Sequence, residues 1–430
     1  MDELRVLVYG ELAAGVSDLY RFGQFRAALA GHGVVLRPWS ELGDFTVGIP
    51  AIPGLEPDEA IALGLGSIDL TPLDWADVIV FRRWYSLGFC CAECDTLAPN
   101  RAALAGHARL TGHAVSAPER HLPVLLRELL QRGAVGRGPA IVYDTDDDLF
   151  DVPDWTGLRA RVSADLGTIG SILREADLVT ASTPVLADRL APRTGSPVRV
   201  VRNALDPAWY VPRARAPGSA PPAAAADPGA PGAGPRIVYH GVARRLWDYG
   251  VARAAVDEIA RHVPGTHRVW LGAAGDQAVD AVVDESLPFV PDPIDFAAAL
   301  VAARPDIGLA PLVDEPYNRA RSELHWLEYS LAGAATVATR TTGPGPYDVI
   351  RDGVDGILAR TPDDWRRSLL RLARSADLRA ELAGRARERV LAESTVAVRA
   401  IEWADAYRSA AARRSGAPAG AALDRSCRPA

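Results

Sequence analysis

Three stretches of the sequence gather side chains able to do chemistry. The first is Asn318-Arg319-Ala320-Arg321-Ser322-Glu323-Leu324-His325-Trp326-Leu327-Glu328-Tyr329. On a helix, Arg321 shares a face with His325 four residues on and with Glu328 seven residues on. A cation beside the free N–H groups of a first helical turn suits a diphosphate. A carboxylate two turns away can accept from ribose hydroxyls. The bland alternative is a solvated helix face. The second stretch, Tyr143-Asp144-Thr145-Asp146-Asp147-Asp148, ends an apolar run with four carboxylates in five residues. Clustered like charges are costly unless solvated, paired or used. Asp146 or Asp147 could orient a hydroxyl or take its proton. A divalent cation held by oxygen ligands and a helix N-cap favoured by the dipole are the other readings.

The third stretch is Cys91-Ala92-Glu93-Cys94, twelve residues, His107, five residues and His113. This C-x2-C-x12-H-x5-H spacing is that of a Cys₂His₂ zinc site. Leu104 stands where such a module keeps a core residue, whereas Ala98 takes the usual aromatic position. So small a unit needs metal to fold. A closed four-ligand site is structural rather than catalytic. Reduced thiols with surface histidines in a loop are the alternative. A single finger without tandem partners is a poor reader of DNA.

These residues need elements to hold them. Arg5–Gly10, Val34–Arg37, Ala76–Phe81, Ala140–Tyr143, Ala176–Ala181 and Val198–Val201 read as short buried strands, with helical stretches at Tyr20–Gly31 and Pro184–Leu190. That alternation predicts a parallel doubly wound domain. Residues 211–235 are a linker, 20 of the 25 being Ala, Pro or Gly. The pattern restarts at Arg236–Gly241, with further strands at Arg268–Gly272, Ile307–Ala310 and Ala335–Ala338. The expected organisation is an N-terminal domain over 1–210 with the finger-like insertion at 88–116, the linker, and a second doubly wound domain over 236–361. Helices over 362–414 and a frayed tail over 415–430 complete it. In such folds ligands sit at the carboxyl ends of strands, and two facing domains suggest closure on a ligand.

Composition narrows the function. The 430 residues are 48% hydrophobic and 23% charged, enough for two packed cores. No apolar run reaches 18 residues, and no signal peptide is read at the start, so the expected setting is cytoplasmic, with at most peripheral membrane contact. Net charge is −7, which gives no reason to expect nucleic-acid binding. All 47 basic residues are Arg, so any anion site must use Arg, His or backbone N–H groups. Four cysteines, three of them clustered at 90, 91 and 94, suit a metal or redox site in a reducing compartment.

The segment Pro311–Ile357 continues from Glu328 and Gly333 into Gly343-Pro344-Gly345-Pro346-Tyr347 and Ile350-Arg351-Asp352-Gly353-Val354-Asp355-Gly356. It resembles the donor-binding half of retaining, sugar-nucleotide-dependent glycosyltransferases of the GT-B fold (group 1, family 4-like), with motif-level likeness over about 236–360. The resemblance implies two Rossmann-like domains facing across a cleft, the first binding the acceptor and the second the donor. It makes Glu328 the ribose-binding acid and places Arg245, Arg321, Ser322, His325, Gly343, Gly345 and Tyr347 at the donor. Arg244 would stabilise the leaving diphosphate. Asp146 and Asp147 would be catalytic carboxylates, and Tyr20, Arg21 and Asp148 would lie on the acceptor side. Two departures stand out. Ala320 occupies the position of an expected first Glu, and Tyr249-Gly250 lie where a Lys often follows the first-loop Arg.

The sequence thus predicts a glycosyltransferase, hexosyltransferase-like, moving a sugar from a nucleotide-diphosphate donor to an acceptor hydroxyl with retention. The acceptor would be a glycan, a lipid-linked glycan or a small molecule. The chemistry would need no metal, and zinc would be structural, at Cys91, Cys94, His107 and His113. The rival reading is a catalytically inactive sugar-nucleotide binder or scaffold.

Overall fold

The computed structural model describes residues 3–9, 16–43, 70–82, 128–133, 138–211 and 234–415. Cys91, Cys94, His107 and His113, most of the linker and the tail from 416 lie outside them.

The apolar runs form two all-parallel six-stranded sheets. The first holds β1 (Leu4–Val8), β2 (Val34–Pro38), β3 (Val78–Arg82), β4 (Ala140–Thr145), β5 (Leu178–Ala181) and β6 (Val198–Val200), in spatial order β2-β1-β3-β4-β5-β6. The second holds β7 (Arg236–His240), β8 (His267–Leu271), β9 (Glu285–Leu287), β10 (Ile307–Ala310), β11 (Ala335–Thr339) and β12 (Ile357–Ala359), in order β12-β11-β10-β7-β8-β9. Both are doubly wound orders, which reverse direction at β1/β3 and at β7/β10. Strands β3, β4, β5, β10 and β11 are buried throughout, as parallel strands covered on both faces must be. The edge strands β9 and β12 have three residues each, too few to leave a periodic signal, and sequence reasoning missed them.

One helical expectation changes and one holds. The stretch Tyr20–Gly31 is not one helix but Val16–Arg21, a 3-10 turn at Gly23–Phe25, and Arg26–Ala30. Gln24 explains the break: its side-chain amide donates to Tyr20 O and Ala204 O, so the carbonyl that would continue the helix is bound sideways. Residues 362–414 form three helices, Pro362–Arg374, Ala376–Glu393 and Val396–Arg414, whose starts are capped by the Thr361, Ser375 and Thr395 side chains.

The three helices take different partners. Trp365, Leu369 and Leu372 of the first pack with Ala252, Val256 and Ile259 of the helix Leu246–His262, in the C-terminal half. The last crosses back, and Trp403, Tyr407 and Ala400 join Phe22, Phe25 and Val80 in the N-terminal core. Beneath it lies a buried ion pair. Arg21 and Asp144, 1% and 0% exposed, meet through two guanidinium–carboxylate bonds, and Arg21 also donates to Val201 O and Asn203 Oδ1. The Trp403 ring lies 4.5 Å from this guanidinium.

Candidate functional site

Many of the predicted residues line one cavity of about 220 Å³. It sits at the carboxyl ends of β7 and β8 and beside Leu312, just past β10. This is the switch point of the second sheet, where doubly wound folds bind ligands. Two glycines make the floor possible. Gly241 and Gly272 have φ of 141° and 120°, and a Cβ on Gly272 would lie 2.8 Å from Gly241 O. Trp270 Nε1 donates to that same carbonyl at 2.7 Å and fixes the turn.

One wall is the helix Leu324–Ala332, which ends at Gly333 in the left-handed region (φ 83°). His325 and Glu328 share its cavity-facing side. Arg321 is not on this helix, as its spacing suggested. It lies in the turn between the short helix Pro316–Arg319 and the N-cap Glu323, and this turn delivers it to the same cavity.

Glu328 is 4% exposed and held from two directions. Tyr20, from the N-terminal half, donates its hydroxyl to Oε1 at 2.9 Å. His240, the last residue of β7, brings Nε2 within 3.2 Å of Oε2, outside hydrogen-bond geometry. The His240 and His325 rings lie 4.1 Å apart. His325 Nδ1 is buried without a partner. Burial, then His240, then Arg321 and Arg245 keep His325 well below the usual histidine range, so it is neutral.

Arginines supply the positive charge. Arg321 forms no ion pair among the described residues. Burial works against its charge, but Asp147, with Tyr317 and Asp248, more than offsets this and holds it above its ordinary value. Arg244 likewise has no ion pair among the described residues. Partial burial, Arg245 and Arg321 pull its affinity for a proton down, the signature of cations crowded together. Arg245 is spoken for: its Nη1 bonds Asp248 Oδ2 at 3.0 Å, and its guanidinium lies 5.3 Å from the Trp155 ring. Asp248, fully buried, also accepts from Val313 N and Asn318 Nδ2 and so ties the first loop to the end of β10.

The acidic loop after β4 divides by residue. Asp144 is the partner of Arg21 and lies in the core. Asp148 pairs with Arg189 and accepts from Phe150 N. Asp146 bonds Arg82 at 3.2 Å. Asp147 is half-buried and is the carboxylate that acts most on Arg321 across the cleft. No helix begins at this loop; the next element is the 3-10 turn Asp154–Thr156, so the capping reading fails.

The structure therefore brings Tyr20, Arg321, Ser322, His325, Glu328 and Tyr347 to one cavity, with Arg244 and Arg245 within electrostatic reach of Arg321. It does not bring Arg21 and Asp148, which are held in ion pairs elsewhere. Nor do Gly343 and Gly345 line the cavity. Gly345 is small for the loop's own sake, because a Cβ there would meet Thr341 Oγ1 at 2.3 Å. Sequence reasoning missed His240, Asp248, Gly241 and Gly272. Strand-end position was the available signal for His240 and the glycines; nothing in sequence marked Asp248.

Five side-chain bonds from the N-terminal half converge on residues 315–328. They run from Trp155 to Glu315, Thr183 to Ala320 O, Asn203 to Ser322, Arg202 to Glu323 and Tyr20 to Glu328. Ala320 is 0% exposed and packs into the N-terminal core, with Tyr317.

Residues 253–405 match the family model described as glycosyl transferase-like. No curated protein sequence matches the chain. Among solved structures, sucrose-phosphate synthase from Thermosynechococcus elongatus is similar over 94% of this chain and 98% of its own, at 14% identity and TM-score 0.57. The α,α-trehalose 6-phosphate synthase from Burkholderia multivorans is similar over 96% and 99%, at 14% identity and TM-score 0.51. HepE from Anabaena, in complex with UDP, is similar over 95% and 100%, at 14% identity and TM-score 0.50. At such identities the likeness shows the fold, two Rossmann-like domains in the GT-B arrangement.

Proposed function

We propose that this chain transfers a sugar from a nucleotide-diphosphate donor to an acceptor hydroxyl, with retention. The donor binds in the cavity of the C-terminal half and the acceptor approaches from the N-terminal half. The observation that carries this reading is Arg321. It is a cation in a cavity wall at a sheet switch point, with no ion pair among the described residues and with Arg244 beside it.

Each step then has a residue. Glu328 accepts from ribose hydroxyls in place of Tyr20, and Gly241 lets the backbone approach the donor. Arg321 and Arg244 hold the diphosphate and stabilise the charge that develops on it as the glycosidic bond breaks. Asp147, across the cleft, accepts or orients the acceptor proton. Donor chemistry of this kind needs no metal. Zinc at Cys91, Cys94, His107 and His113 has a structural part in the same proposal, tested by elemental analysis of purified protein. HepE, whose solved complex holds UDP, makes a uridine donor the first to try.

The test is a thermal-shift screen of nucleotide sugars followed by transfer and hydrolysis assays with the wild type and Glu328→Ala. A specific donor should stabilise the wild type, and Glu328→Ala should weaken its binding about tenfold to a hundredfold. A chain that no nucleotide sugar stabilises refutes the reading. One observation favours a second reading, a binder without turnover: Ala320 is packed away with no acidic side chain to touch the sugar. Donor binding with neither transfer nor hydrolysis selects it.

A further inference from the structure

His240 and His325 stand beside Glu328, and the donor contacts proposed above use neither imidazole. Their ligand atoms all lie within 4.8 Å of one another. His240 Nε2 and His325 Nδ1 are buried without hydrogen-bond partners, an arrangement native structures avoid unless something satisfies it. We infer that this triad is a binding site for a zinc-class transition-metal ion, separate from the Cys91–His113 element.

The chemistry selects the ion. Two imidazoles and one carboxylate are the ligand set of open zinc sites, with the fourth position left to solvent or ligand. Mg²⁺ and Ca²⁺ prefer all-oxygen cages and do not fit. The 3.2 Å between His240 Nε2 and Glu328 Oε2 is about the separation of two ligands at ~2 Å from one tetrahedral ion. The carboxylate is already oriented: Tyr20 bonds Oε1 and leaves Oε2 to the metal, the outer-shell support such ligands have. All three residues line the cavity, from which solvent or a ligand atom would complete the coordination. The nearby Arg245 and Arg321 oppose a dication and limit its affinity. Metal and ribose compete for the same carboxylate, so zinc occupancy inhibits donor binding; this last step rests on the function proposed above.

The experiment is calorimetric titration of chelator-stripped full-length protein with zinc chloride, without donor, in a Cys91→Ser/Cys94→Ser background. We expect one bound equivalent, with affinity at least about tenfold lower in His325→Ala or Glu328→Gln. If the cysteine variant does not fold, the native-cysteine chain serves, and His325→Ala should bind one zinc fewer. Equal zinc binding by parent, His325→Ala and Glu328→Gln, or no zinc binding by the parent, overturns the site. A second arm measures UDP affinity with and without saturating zinc. Weakening by zinc in the parent but not in His325→Ala supports competition, and UDP affinity unchanged by zinc overturns it. A zinc-free parent that binds no UDP, in contrast, refutes a uridine donor; the arm is then run with the nucleoside diphosphate of whichever donor the thermal-shift screen selects, and the metal titration stands alone.

Discussion

At the residue scale, the site is marked by a cation that lines a cavity and has no ion pair among the described residues, Arg321. This chain has many arginines, but most of those described are bound to carboxylates, as Arg268 is to Asp257 and Asp284. Arg321 and Arg244 are not. Replacing Arg321 by Ala should lower affinity for a nucleoside diphosphate about tenfold to a hundredfold, read by calorimetry, with nucleoside affinity unchanged. Equal losses for nucleoside and diphosphate would remove Arg321 from the phosphate. His325 gives a pH signature. Its folded pKa is depressed by burial, then His240, then the arginines. The unfolded chain takes up this proton near pH 6.5. More protons on the unfolded state mean that stability falls as pH drops below about 6.5 towards the lowered folded value. Urea unfolding across pH 5–7 should show that slope, and His325→Gln should flatten it.

At the element scale, strand ends and one tight contact shape the cavity wall. Gly308 in β10 lies under the Tyr329 ring, and a Cβ there would stand 2.3 Å from the ring. Tyr329 in turn donates to Val238 O at 3.0 Å and pins the helix Leu324–Ala332 to β7. Gly308→Ala should therefore destabilise the protein by about 1–3 kcal/mol through overpacking, and it should also weaken ligand binding, because His325 and Glu328 ride on the displaced helix. A variant that unfolds earlier but binds donor normally would show that the helix position is tolerant. The finer helical breaks escaped sequence reading for a local reason. Gln24 diverts a carbonyl, and the Ser375 and Thr395 caps set where the C-terminal helices begin, which the sequence reading left open.

At the scale of the whole molecule, the two halves are tied by the returning helix Val396–Arg414 and by bonds onto residues 315–328. Trp403→Ala should cost about 3–5 kcal/mol, measured by denaturant unfolding, since a fully buried ring shared with Phe22 and Phe25 is lost. Asp144→Ala strands the Arg21 guanidinium in the core and should cost a similar ~3–5 kcal/mol, whereas replacing both Arg21 and Asp144 by apolar residues should cost much less. If the double variant is as unstable as the single, the charge of Arg21 is not what makes the loss severe.

The sequence by itself determined the two doubly wound halves, since a buried parallel strand is a continuous apolar run and needs no distant information. It also picked out the Arg321, His325 and Glu328 neighbourhood, because the spacing of these residues is local. Tertiary structure alone decided which partner each charge meets. Asp144 and Asp147 are alike in sequence, yet one is locked to Arg21, 123 residues away, and the other faces Arg321 across the cleft. It alone set Tyr20 against Glu328 across 308 residues and joined His240 to His325. Partners so far apart along the chain meet only through packing, and packing decides whether a charge is neutralised in the core or left to meet a ligand.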